Sequence, residues 1–303
     1  MENRQRQVLL RTMKDFIKFC DIAGLRWYMA FGSAIGTVRH NGLIPWDDDI
    51  DVYMPREDYE RFLLMKGHIG EISGGKLEGE YDLCGPRVSK EDMPFPFTKF
   101  CDMHTTIWEK KQYPVIVGVF IDVFPLDYTA GDMAANDALK NRYQDYFRKY
   151  RRGFRRHSFR YCLNAIFEGR FSDSVKFITD NVLYRTRKNK YKEEFCKMDR
   201  AMASRTGDWL ISFCAYSKAE KVCHPAELFA GYETALFEGL TVRIPSGNDK
   251  ILRQIYGDYM QLPPKFERVP GHAQYFADFS RRLSLHEAKA EIRSGKHKKY
   301  SGR

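Results

Sequence analysis

An α+β fold is predicted for this 303-residue chain by three observations. Residues 5–23 have helical periodicity. The first 130 residues interleave helix-like and strand-like runs. Residues 131–225 are long, basic and aromatic, without strand alternation, and read as a helical region. The fold expected is a mixed β-sheet core flanked by helices, with a helical insertion.

In chain order, Val8, Leu9, Met13, Phe16, Ile17 and Cys20 repeat at helical spacing, and Gly24 follows as a C-cap. LRWYMAF (25–31) reads as a strand that enters Gly32-Ser33, and AIGTVRH as a short helix or turn after it. Asn41-Gly42 marks a turn. DIDVYM (49–54) alternates acidic and apolar residues, which is strand periodicity. Pro55 stops that strand and opens the helix REDYERFLLM. TKFCDM is a further strand. VIVGVFIDVF (115–124) is the strongest buried-strand signal, ended by Pro125. Short turn-rich elements return from 226, and the tail GKHKKYSGR reads as disordered. The expected organisation is a catalytic core over 1–130, a basic helical region over 131–225, a C-terminal segment packing on the core over 226–290, and a disordered tail over 291–303.

The composition is that of a globular protein, 43% hydrophobic and 30% charged, with a net charge of +10. That excess permits nucleic acid, anionic lipid or phosphorylated small molecules as partners. No run of eighteen apolar residues is free of charge, which argues against a spanning helix. MENRQRQVLLRTMKDF lacks the apolar core of a secretory signal. Seven scattered cysteines read as reduced thiols, so a cytoplasmic location is expected.

The chemistry concentrates in FGSAIGTVRHNGLIPWDDDIDVYM (31–54), where Asp47, Asp48, Asp49 and Asp51 crowd behind an apolar Ile-Pro-Trp. In a strand, Asp49 and Asp51 share one face. Two carboxylates so placed repel unless a cation lies between them, and Mg2+ takes a few hard oxygens plus substrate phosphates. A solvated acidic loop is the plainer alternative for this pair alone. Gly32 and Ser33, at a helix start, suit a phosphate. Asp122, alone in VGVFIDVF, is expensive in a buried strand unless paired or metal-bound, and makes sense as a third ligand. By parity Asp48 faces away from Asp49 and Asp51.

Gly-Ser, then an h-D-h-D strand, then h-D-h, resembles the nucleotidyltransferase fold. GSAIGTVRHNGLIPWDDDIDVYMPREDYERF, FTKFCDMHTT, GVFIDVFPLD, FEGLTVRIP and YGDYMQLPP together resemble the LicD family, from about residue 20 to His272. The resemblance implies an enzyme that moves an alcohol phosphate, phosphocholine first, from a CDP-alcohol donor to a sugar hydroxyl of a surface glycan, releasing CMP. It implies one or two Mg2+ ions, with Mn2+ as a substitute, on Asp49, Asp51 and Asp122 as the catalytic set. Asp122 is a third ligand or the acceptor's base. Gly32, Ser33, Arg39, His40, Asp48 and Lys99 are the substrate-binding candidates. Lys99 neutralises a phosphate or simply pairs with Asp102. Trp46 reads as a core anchor of its loop. A nucleotidyltransferase is the rival reading. A non-catalytic glycan- or nucleic-acid-binding protein is a third, although no nucleic-acid motif is present and no nucleic acid is expected. The nine Lys or Arg of 142–170 form a solvated face or a peripheral contact with anionic lipid or a lipid-linked glycan acceptor.

Overall fold

The computed structural model describes residues 3–156, 163–164, 166–269 and 274–295. Helix α1 (Asn3–Ala23) presents Val8, Leu9, Met13, Phe16, Phe19 and Cys20 to the core and ends at Gly24, whose φ of +62° favours a residue without Cβ. Strand β1 is only Tyr28–Met29, shorter than the run 25–31 predicts, and helix α2 (Phe31–His40) takes up Gly32 and Ser33 in its first turn. Next come β2 (Asp51–Pro55), α3 (Arg56–Leu64), a short α4 (Ile69–Ile72), β3 (Tyr81–Cys84), β4 (Thr98–Asp102) and β5 (Thr106–Trp108). Strand β6 (Phe120–Thr129) is the longest.

Two expectations about strand ends need correction. Strand β2 begins at Asp51, not Asp49, although the carbonyl of Ile50 still accepts the N–H of Asp122. Strand β6 runs straight through Pro125. Because the Asp122 N–H points toward β2, odd-numbered residues of β6 would donate to its other side. On that side β4 pairs only as far as Val123 and the next neighbour starts at Asp127, so Pro125 falls in the gap and breaks no hydrogen bond.

The predicted helical region does carry helices: α5 (Met133–Phe154), α6 (Phe171–Ile178), a π-helical turn (Thr179–Tyr184) and α7 (Lys188–Met202). It also contains β7 (Trp209–Ile211), α8 (Ala219–Val222) and β8 (Cys223–Pro225), which the lack of alternation hid. Strand β7 pairs with the end of β6, and β8 with β7, so this region adds strands to the main sheet. Strands β9 (Tyr232–Phe237) and β10 (Leu240–Pro245) form a hairpin. After α9 (Asn248–Tyr256), β11 (Phe276–Asp278) pairs with β5. Helix α10 (Leu285–Ser294) continues past 290, so the segment read as a disordered tail begins as helix; residues 296–303 lie outside the described residues.

The sheet order is β1-β2-β6-β4-β3, and among the described residues only the β2·β6 pair is parallel. Helices α1 and α3 cover one face. There Phe16 meets Trp27 and Phe100 edge-on at 5.6 and 5.5 Å, and Tyr59 bonds Thr98 at 2.8 Å. The opposite face carries the polar row described next. The fold is α+β, with a mixed sheet flanked by helices.

Candidate active site

The parallel pairing of β2 with β6 sets Asp51 opposite Asp122. The antiparallel pairing of β4 on the far side sets Lys99 opposite the same Asp122. Residues directly opposite in a sheet point to one face, so the three form a row across three strands. Asp49, just before β2, joins it: carboxylate oxygens of Asp49, Asp51 and Asp122 lie within 4.8 Å of one another. Asp47, Asp48 and Asp49 form a second such set that shares Asp49. Parity had turned Asp48 away; it joins this set because the chain ahead of Asp51 is not strand.

Lys99 Nζ lies 2.8 Å from Asp122 Oδ1 and 3.6 Å from Glu109 Oε1. Its ammonium sits over the Phe120 ring at 3.2 Å and is almost fully buried. The expected Lys99–Asp102 pair is not formed. Positions 99 and 102 point to opposite faces of β4, and Asp102 takes Arg11 of α1 at 2.5 Å. Lys99 is therefore set against Asp122 and Glu109, with Asp49 and Asp51 close to Asp122. Burial first, then Asp49 and Asp122, raises Asp51 well above the ordinary carboxylate range. Burial raises Asp122 to about 7 against the pull of Lys99, with Asp49 and Glu109 adding to the rise. Oxygen-only donors this close together could hold a hard divalent cation.

The first turn of α2 stands beside the cluster. Ser33 Oγ, buried, accepts the N–H of Asp51 at 2.9 Å, so the hydroxyl braces the acidic strand. A Cβ on Gly32 would lie 2.9 Å from Asp47 Oδ2, so only glycine lets that carboxylate approach the helix start. Phe31, at φ +45°, enters the helix in a left-handed conformation and packs on Tyr53 and Phe124. The loop between is held by the β9–β10 turn: Glu238 N–H donates to the Asn41 carbonyl, and Glu238 Oε1 accepts the N–H of Leu43, both at 2.9 Å.

Arg39 and His40 end α2. Arg39 Nη1 donates to the carbonyls of Tyr259 and Gln261 at 2.5 and 3.3 Å, and its Nε donates to His40 Nε2 at 3.0 Å. Burial and Arg39 push His40 below its ordinary value, which favours this neutral acceptor form. A cavity of about 730 Å³ opens here, lined by Gly32, Arg39, Trp46, Tyr256, Asp258 and Arg268 among others. Burial and the charge of Arg268 lower Arg39 below its usual value, so two guanidiniums face one another across this region. Arg268 lies over the Trp46 ring at 5.6 Å. Burial, then Asp51, Asp47 and Asp49, raises the Tyr256 hydroxyl, which places that group beside the carboxylates.

The structure thus gathers Asp49, Asp51, Asp122 and Lys99 in one cluster, with Gly32, Ser33 and Asp48 at its edge. Arg39 lines the adjoining cavity, and His40 accepts from Arg39 behind it. Glu109, Tyr256 and Arg268 were missed. Tyr256 lies in the block YGDYMQLPP, where spacing alone assigns it no role. Arg268 and Glu109 had no local signal at all.

An α+β core with a carboxylate row across a parallel strand pair is consistent with a nucleotidyltransferase-like fold. Residues 24–154 match the nucleotidyltransferase domain of LicD/FKTN/FKRP. The lipopolysaccharide cholinephosphotransferase LicD of Haemophilus influenzae is 27% identical over 285 residues, spanning 89% of this chain and 95% of that one. Mouse and human ribitol 5-phosphate transferase FKRP are 31% identical over 61 residues, 20% of this chain and 12% of theirs. Within residues 24–154 the chain carries a domain of the LicD/FKTN/FKRP type.

Proposed function

We propose that this protein is a metal-dependent phosphotransferase. It moves an alcohol phosphate, phosphocholine in the first place, from a CDP-alcohol to a sugar hydroxyl of a cell-surface glycan. The observation that carries the reading is the cluster of Asp49, Asp51 and Asp122 beside a cavity bearing two arginines. The similarity to a cholinephosphotransferase and to ribitol 5-phosphate transferases supports the same class of reaction.

In this reading the acceptor oxygen attacks the phosphorus that carries the alcohol. The bond from that phosphorus to the CMP oxygen breaks, CMP leaves with the electron pair, and the acceptor proton passes to a carboxylate of the cluster. Asp49, Asp51 and Asp122 would hold Mg2+, or Mn2+ in its place. A bound divalent ion supplies charge that offsets what builds on the pyrophosphate oxygens. Lys99 holds Asp122 Oδ1 in place. Arg39 and Arg268 bind the donor's phosphates, with the first turn of α2 at Gly32 and Ser33 beside them. Trp46 and Tyr256 flank the donor's base or alcohol.

Calorimetric titration with CDP-choline, CDP-ribitol, CDP-glycerol, CDP-ethanolamine and CTP, with and without Mg2+, tests this. CDP-choline should bind most tightly, and only with the metal. Arg268→Ala should weaken that binding about tenfold, the value of one charge-assisted hydrogen bond. Preference for CTP, with pyrophosphate as product, would favour nucleotidyl transfer instead.

The carboxylates also set a pH dependence. Without divalent cation, the native state keeps a proton on Asp122 up to about 7, far above its unfolded value. The native state then binds more protons than the unfolded state between about pH 4 and 7, so this group's contribution falls as pH rises through that window. Melting temperatures measured in EDTA should decline more steeply there than in Mg2+, which favours the ionised cluster. Parallel curves would count against a metal at these residues.

A further inference from the structure

Phe171, Val175, Ile178 and Val182 are 58–67% exposed, and Phe167 just ahead of them is 87% exposed. Their spacing of four, three and four residues places the first four on a single face of α6 and the π-helical turn. The other side is fixed to the protein. Asp180, fully buried, accepts from Arg152 Nε of α5 at 2.6 Å and lies 3.9 Å from Arg155, while Arg152 covers the Tyr184 ring at 4.2 Å. The apolar stripe is therefore held outward.

Its surroundings are the most basic part of the chain. Residues 142–192 contain 15 Lys or Arg and 4 Asp or Glu, a net of +11 against +10 for the whole chain. Burial and Arg156 lower Arg185, which reflects the crowding of cations beside the stripe. Exposed apolar patches of this kind mark an interaction surface. A nucleic acid would use the cations and leave the aliphatic stripe in water. A bilayer with anionic headgroups takes up both. Among the described residues no helix is long and apolar enough to cross a membrane, so the contact is one of lying on the surface.

We propose that α6 and the π-helical turn lie in the headgroup layer of an anionic bilayer, with Phe167, Phe171, Val175, Ile178 and Val182 as the inserted side chains. The described cations of 142–192 supply charge, and most of the apolar anchor lies beyond the stretch 142–170. Residues 157–162 and 165 of that stretch are outside the described residues. This surface is independent of the transfer chemistry, and its test does not use activity.

The full chain is sedimented with vesicles of phosphatidylcholine alone and of phosphatidylcholine mixed with phosphatidylglycerol. It should bind the mixed vesicles, release with salt, and ignore the neutral ones. Ile178→Asp with Val182→Asp should lower the bound fraction about tenfold or more while melting temperature and CDP-choline binding stay unchanged. If that variant is unstable, Arg185→Gln with Arg187→Gln should weaken binding to anionic vesicles in its place. Absence of binding to anionic vesicles, or variants that bind as well as the parent, would overturn the proposal. So would a dimer in analytical ultracentrifugation that the aspartates dissociate, since the stripe would then belong to a second copy.

Discussion

Asp51→Asn should lower turnover at least about a thousandfold, the loss expected when charge stabilisation of a phosphoryl transfer is removed. The substitution keeps the size of the side chain and leaves the backbone N–H of residue 51 on Ser33 Oγ. It removes one of three crowded carboxylates, whose mutual repulsion and burial already raise Asp51 and Asp122. The metal-free variant should therefore melt no lower than the parent and somewhat higher at neutral pH. Mg2+ should raise the parent's melting temperature and leave the variant's unmoved. CMP release, followed alongside melting curves, checks both halves. Near-normal turnover in the variant would remove Asp51 from the catalytic set.

Arg56→Met should produce the largest loss of stability, about 3–5 kcal/mol, because it strands buried carboxylates. Arg56 opens α3 and is 2% exposed. Its Nε and Nη2 reach Asp127 at 2.5 and 3.2 Å, and both Nη atoms reach Asp199 at 3.3 Å. Asp127 belongs to β6 and Asp199 to α7, so one guanidinium ties the acidic strand pair to the helical region. Arg87 and the Tyr143 hydroxyl, both at 2.9 Å, also hold Asp199, which leaves Asp127 as the group most exposed to the loss. A fall in melting temperature of roughly 10 °C is expected, followed by circular dichroism. Adding Asp127→Leu should recover much of it, since an apolar pair replaces a broken ionic one. A shift of only a degree or two for the single variant would show that the network relaxes without Arg56.

These two positions separate what can be read locally from what cannot. The spacing of Asp49 and Asp51 already implies a shared face, because strand parity needs only neighbouring residues. A lone aspartate inside an apolar strand already demands a partner, because burial penalises its charge. Helix α1 and its glycine cap follow from period and backbone freedom. The mixed sheet follows from interleaved strand and helix signals. All of these are short-range physics, legible in the order of residues.

Register is not short-range. Only the parallel pairing of β2 with β6 puts Asp51 opposite Asp122, and only the antiparallel β4 gives that carboxylate Lys99 in place of the nearby Asp102's neighbourhood. Asp127 lies in the block GVFIDVFPLD, which gave it no role, and its side chain is committed to Arg56 on the other face. Arg268 and Tyr256 reach the cavity from the far end of the chain, and no spacing rule connects them to Gly32. The strands β7 and β8 escaped notice because three-residue strands show no period long enough to detect. The sequence by itself determined which carboxylates would crowd together and where the two acidic strands run. The tertiary structure decided which cations stand near them, because charge compensation in a buried site is settled by distance through space and not along the chain.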